Sequence, residues 1–202
     1  MLRMNPPSNA SFRLETQTAR PAGTIAPTRF DVGPGLRSRR MKATLVLTLI
    51  GMDRPGLVKA ISNVATKHGA NWEASRMARL GGRFAGLLLV TLEPSRAEAL
   101  RRDLEALSDH GLKVVVEESA RAEPRQDWQS LKLELLGTDR VGITHRVAQT
   151  LAELGINVDE LQTECTSAPI SGGEIFKLSA TLACPPTVSL ERLRSELSLI
   201  HI

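Results

Sequence analysis

Two short segments hold the residue types best suited to binding chemistry. Asp53, Arg54, Gly56 and Leu57 form one, and Asp139, Arg140, Gly142 and Ile143 form the other. An asparagine, Asn71 or Asn157, follows each aspartate by 18 residues. An aspartate can hold an ammonium group or cap a helix. An arginine can pair with a carboxylate or with an acidic partner protein. An asparagine offers a zwitterion both a donor and an acceptor. A glycine lets a ligand approach the backbone, because no Cβ intrudes. Each residue also has an ordinary structural role, as a cap, a turn former or a solvated surface charge. The residues alone leave both readings open.

Catalysis is harder to assemble. His68, His110, His145 and His201 have no suitably spaced partner, and Cys165 and Cys184 lack the close spacing of a metal site. Glu117 and Glu118 read as a strand-end charge pair, and no phosphate-cradling glycine motif is present. The expectation is no catalytic residue, no metal and no cofactor.

The two segments are copies. Residues 47–71 align with 133–157 at a shift of 86, with eight of 25 positions identical. A self-match at this spacing means two small modules of one kind. The elements that position the loops follow from pattern. Residues 42–51 read as a strand, 53–56 as a turn and 57–68 as a helix stopped by Gly69. Residues 71–80 and 83–92 read as a hairpin about Gly81-Gly82. Ser95 and Glu98 suggest a capping box for a helix over 96–110, before Gly111 and a last strand over 112–118. The second copy repeats the order: strand 131–137, helix 143–154, Gly155, strands 157–166 and 174–183, and a helix from 189. No counterpart of the 112–118 strand follows. Its absence is expected to leave one edge of the 131–137 strand unpaired. The fold class is α+β, two tandem ferredoxin-like βαββαβ modules, the second lacking its last strand. The modules span 41–119 and 131–196, joined by a linker over 120–130.

The flanks read differently. Residues 1–40 are rich in Pro and Arg with no apolar period, so they are expected to form a flexible tail or to precede a true start at Met41. A basic arm on nucleic acid and an organelle transit segment are the alternatives. Residues 197–202 match the translation of a transposon end used in sequencing adapters. They are therefore expected to be foreign to the domain.

Charge excludes one class of partner. Of 26 basic and 22 acidic residues, seven and two fall in 1–40, so the rest balances at 19 against 20. Such a body carries no broad footprint for DNA. Aromatic content of 3% argues against a base-stacking surface. No apolar run approaches the length of a membrane span, and a cytoplasmic location is the simplest expectation.

The run Gly51-Met52-Asp53-Arg54-Pro55-Gly56-Leu57, a helix closed by Gly69, and Asn71 opening the next strand resemble the signature of ACT domains. These are small modules that usually bind amino acids. Two copies with no attached enzyme resemble the glycine cleavage system transcriptional repressor family over roughly 41–196. The resemblance implies a non-enzymatic regulator that contacts a transcription activator protein, with glycine as its signal. It implies no direct sequence-specific DNA binding and leaves self-association open. It makes Asp53, Arg54, Gly56, Leu57, Asn71 and their counterparts Asp139, Arg140, Gly142, Ile143 and Asn157 the ligand-binding candidates. The second copy departs by placing Val141 where the first has Pro55. Control of a metabolic enzyme in trans is the alternative. Five heavy atoms limit glycine to about 7–8 kcal/mol of binding, hence micromolar affinity at best.

Overall fold

The computed structural model describes residues 11–16, 42–119, 127–167 and 174–198. Expectations for 1–10, 17–41 and 199–202, and for parts of the linker and the second hairpin loop, lie outside those residues. The chain divides into two compact units.

The first unit follows the expected order. Strand β2 (Ala43–Met52) leads into helix α1 (Leu57–Lys67), then β3 (Asn71–Leu80) and β4 (Arg83–Leu92). Helix α2 (Ala97–Glu105) and β5 (Leu112–Glu118) complete it. The sheet is antiparallel with order β3-β4-β2-β5. Alternation sets its inner face: Leu45, Leu47 and Leu49 of β2 meet Leu88 and Val90 of β4 and Val114 and Val116 of β5. Helical spacing supplies the cover, with Leu57 and Ile61 from α1 and Leu100 and Leu104 from α2. Each such side chain contributes roughly 1.5–3 kcal/mol on burial.

The helix expected over 96–110 is three pieces. Pro94–Arg96 and Ala106–His110 are 3-10 turns, and only Ala97–Glu105 is α-helical. The capping box does not form, because Pro94 starts the turn one residue before Ser95. Gly111, at φ 75°, ends the run as expected.

The second unit contains β6 (Gln129–Thr138), α3 (Ile143–Glu153), β7 (Asn157–Ser167), β8 (Glu174–Cys184) and α4 (Leu190–Ser198). Its sheet order is β1-β6-β8-β7. Strand β1 is Ser11–Thr16, inside the segment expected to be a flexible tail. It runs antiparallel to β6, pairing Phe12 with Leu135, Leu14 with Leu133 and Thr16 with Leu131. In the first unit β5 pairs Val114 with Leu49, Val116 with Leu47 and Glu118 with Leu45. At the 86-residue shift these are the same sheet positions, so β1 fills the place left by the missing strand. The edge of β6 is not open, contrary to expectation. Phe12 and Leu14 pack against the second core, while Ser11, Arg13 and Glu15 face outward. A six-residue strand has no stability of its own and gives little periodic signal among prolines and arginines. The free ladder of β6 is what orders it. A chain starting at Met41 would lack it.

The C-terminal expectation also shifts. Leu197 is 1% exposed and lies in the same core cluster as Leu193. The spacing of Leu193 and Leu197 on α4 matches that of Leu100 and Leu104 on α2. Whatever its origin, Leu197 belongs to the fold.

Candidate functional site

The loop between β2 and α1 closes a cleft of about 250 Å³ lined by Asp53, Arg54, Gly56, Leu57, Val58, Lys59 and Phe84. Backbone conformation builds it. Gly56 occupies the N-cap of α1 with φ 96°, a left-handed value that costs a residue bearing a Cβ. No side chain caps the helix. Its first backbone bond runs from the Ala60 amide to the Gly56 carbonyl at 2.9 Å. The amides of Leu57, Val58 and Lys59 precede that ladder, where the positive end of the helix dipole collects. The first turn carries no acid, and Lys59 adds a cation. Such a terminus can seat a carboxylate.

Asp53 is not the cap of α1. Its amide donates to the Gly82 carbonyl at 3.1 Å, which ties the loop to the β3–β4 turn. Its carboxylate pairs with Arg79 of β3, Nε to Oδ2 at 3.1 Å. Arg54 donates to the His110 carbonyl and so fastens the loop to the end of the α2 segment. Leu57 is a core residue at 5% exposure, and what it can give a ligand is its amide. Phe84 and Arg79 were missed in the sequence. Phe84 sits beside the loop through its pairing with Gly51, and Arg79 through its pairing with Phe84, and no local motif marks them.

The second loop repeats the backbone. Gly142 stands at the N-cap of α3 with φ 89°, again without a side-chain cap, and Ile143 is buried at 6%. Asp139 donates its amide to the Glu174 carbonyl at 2.9 Å. The surroundings differ. Phe176 pairs with Cys165 as Phe84 pairs with Arg79, so a thiol stands where the first unit has a guanidinium. Desolvation first, then the charges of Asp139 and Glu174, push the Cys165 thiol above its usual range. The Ile143 amide is taken by the Arg140 carbonyl at 3.2 Å, which removes one donor from the helix start. The segment that carries His110 in the first unit has no counterpart among the described residues, and among them Arg140 shows no tie like that of Arg54. Val141 is fully exposed.

Asn71 and Asn157 do not join these loops. Asn71 pairs with Thr91, while Met52, next to Asp53, pairs with Arg83 at the far end of β4. Eight residues of strand separate the two ends, roughly 26 Å at about 3.3 Å per residue. The asparagines brace a bulge instead. The β3–β4 register shifts between Trp72 and Ala74, and the β7–β8 register shifts between Val158 and Glu160. Across each bulge the asparagine Nδ2 donates 2.8 Å to an acid, Asn71 to Glu73 and Asn157 to Asp159. Hydrogen bonds from Thr91 and then Asn71 hold the Glu73 carboxyl below its ordinary range. The asparagine recurs together with the backbone irregularity that its hydrogen bond spans.

One histidine does have a partner. His68 Nε2 lies 2.8 Å from Asp103 Oδ2, which also takes Lys67 Nζ at 2.7 Å. The cluster ties α1 to α2, and its donors hold Asp103 below the usual carboxylate range. Cys165 is exposed and Cys184 buried, and both are free thiols. Among the described residues no cluster of potential ligands is arranged for a metal, and no helix is long and apolar enough to cross a membrane.

Comparison with known proteins agrees with this geometry. The ACT domain family matches residues 43–117. Phosphoserine phosphatase SerB2 of Mycobacterium tuberculosis is 27% identical over 161 residues, covering 77% of this chain and 39% of that protein. The glycine cleavage system transcriptional repressor of Escherichia coli is 43% identical over 47 residues, 23% of this chain and 25% of the repressor. The chain thus spans well under half the length of either relative. A solved structure of an unknown protein from Galdieria sulphuraria is 31% identical, covering 79% of this chain and 91% of that one with a TM-score of 0.70. With two ferredoxin-like sheets, a glycine-capped helix after the first strand of each, and these matches, the chain belongs to the ACT-domain family.

Proposed function

We propose that this protein is a non-enzymatic, amino-acid-responsive regulator that acts through protein contacts, with the β2–α1 loop as its principal ligand seat. The observation that carries the reading is the uncapped start of α1, whose first residues Leu57, Val58 and Lys59 line a cleft together with Asp53. The ligand carboxylate meets those amides and the dipole. The ligand ammonium shares Asp53 with Arg79. The cleft is smaller than the roughly 300–1,000 Å³ of drug-sized pockets, which suits a small metabolite. Short similarity to a glycine cleavage system transcriptional repressor supports a regulatory role, for which we propose glycine as the ligand and a transcription activator as the partner.

The test is thermal stabilisation of the full chain across the amino acids at millimolar concentration. A ligand at a hundredfold excess over its Kd adds about 2.7 kcal/mol of apparent stability. The backbone amide resonances of residues 57–59 should shift with it. No stabilisation by any amino acid would remove the sensor reading.

A second reading has its own support. The similarity to an enzyme, the phosphoserine phosphatase, runs over 161 residues and so includes both copies. The chain would then control a metabolic enzyme in trans. Partners recovered from a native lysate separate the two, a transcription activator favouring the first and an enzyme the second.

A further inference from the structure

One face of each sheet carries the helices, and the other faces away from them. Register places Val46, Thr48, Ile50 and Met52 of β2 on the outer face of the first unit. Leu89, Leu87 and Ala85 of β4 stand beside them, with Ala74 and Ala78 of β3 on one side and Val115 of β5 on the other. Five large apolar side chains on this face are open to solvent: Ile50 at 47%, Met52 at 58%, Leu80 at 83%, Leu87 at 51% and Val115 at 43%. They are neighbours, not scattered positions. Ile50 pairs with Ala85, Thr48 pairs with both Leu87 and Val115, and Leu80 and Met52 both pair with Arg83. Charges stand at the margin, in Arg76 of the edge strand β3, which pairs with Leu87, and in Arg83, Lys113 and Glu117. An apolar centre with a polar rim is the composition of an interface.

The second unit is an internal control. Its outer face has the same fold and is mostly charged or polar, although Leu136 stands for Ile50 and Gln162 for Arg76. Lys132 stands for Val46, Glu134 for Thr48, Lys177 for Ala85 and Ser179 for Leu87. Glu160 and Glu164 replace Ala74 and Ala78, and Arg13 takes the place of Val115. Lys132 and Glu134 form an ion pair at 2.6 Å. The scaffold therefore folds with charges at these positions, and the apolar residues of the first unit are not a requirement of the fold.

We propose that the outer face of the first unit's sheet is a self-association surface, on which a second copy of this chain packs face to face about a twofold axis. The occupant must be flat and apolar, and a second copy presents such a surface. Four strands at about 4.8 Å spacing and seven to ten residues long give a face of about 19 by 25–30 Å. Two such faces hide roughly 1,000–1,200 Å² between them, which reaches the threshold of a specific interface. Sheets pack in this way about 10 Å apart with interdigitating side chains. A twofold axis closes the assembly at a dimer.

The experiment is sedimentation equilibrium of the full chain, beside the double variant Ala85→Lys, Leu87→Ser. That variant installs residues that the second unit already accommodates at the same positions. The wild type is expected to be a concentration-dependent dimer, and the variant to dimerise about tenfold or more weakly. The variant should keep the wild-type circular dichroism, and its unfolding midpoint should equal that of the wild type at concentrations where both are monomeric. Glu160→Ala on the second face should leave dimerisation unchanged. A wild type that stays monomeric up to about 100 µM overturns the proposal. So does a dimer that the double variant leaves intact, since its contact then lies elsewhere.

Discussion

In the first unit Asp53 meets Arg79 at 3.1 Å, and Arg54 is fastened to the His110 carbonyl. In the second unit Asp139 lies near Cys165, and among the described residues no cation pairs with Asp139 and no such anchor holds Arg140. The backbones agree to the point of matching left-handed glycines and matching bulges. Duplication has preserved the scaffold and let the electrostatics of the two loops diverge. On the proposed reading, a carboxylate ligand would find three amides and a positive surround in the first loop, and fewer amides with more negative charge in the second. The two outer sheet faces diverge in the same way, one apolar and one charged.

Removing residues 1–16 should produce the largest effect, and only in the second unit. Phe12 and Leu14 leave its core and β6 loses a ladder, a loss of about 3–5 kcal/mol. Hydrogen exchange at β6 amides should accelerate strongly while β2 amides keep their protection. Equal exchange in both would end the equivalence between β1 and β5.

Next come the helix starts. Gly56→Ala and Gly142→Ala should each destabilise their own unit by about 1–2 kcal/mol, from the left-handed backbone alone. A Cβ at Gly56 or Gly142 meets nothing within 4 Å, so no clash adds to the strain. Chemical denaturation of the two variants measures this, and a cost confined to one unit would show that the loops are less alike than their angles.

The charge exchange is smaller in stability and larger in binding. Arg79 is 72% exposed, so Arg79→Cys should cost under about 1 kcal/mol of folding. It should nonetheless weaken any amino-acid binding at the first loop. Cys165→Arg should strengthen anion binding at the second. Calorimetric titration of both variants sharpens the comparison, and unchanged affinities would separate the loops from the ligand.

The smallest effect concerns the bulge brace. Asn71→Ala should raise the Glu73 pKa toward the ordinary carboxylate value, and Thr91→Val should raise it more. Glu73 carries a lowered folded-state pKa. Its contribution to stability is therefore full above the unfolded value near about 4.3 and fades as pH falls through the folded one. Carboxyl NMR titration of the two variants reads this directly.

Periodicity and glycine punctuation in 42–118 and 129–184 made most elements legible, because each depends on neighbours in sequence. Their local signals survive without the rest of the chain. The capping box at Ser95 misled, since Pro94 offered a competing start that pattern alone did not weigh. Among the candidate residues, the glycines at the helix starts were readable from the repeat. The roles of the asparagines were not, because a repeated residue can be a repeated brace as easily as a repeated contact.

The chain's own order of residues determined that there are two like modules, where each helix begins, and which strand faces are apolar. Only the tertiary structure decided that Ser11–Thr16 closes the second sheet, that Asn71 lies at the opposite end of its unit from Asp53, and that Arg79 and Cys165 answer the two aspartates. The physical reason is common to all three. Hydrogen-bond register between distant strands sets which side chains meet, and register is a property of pairs that no single segment contains.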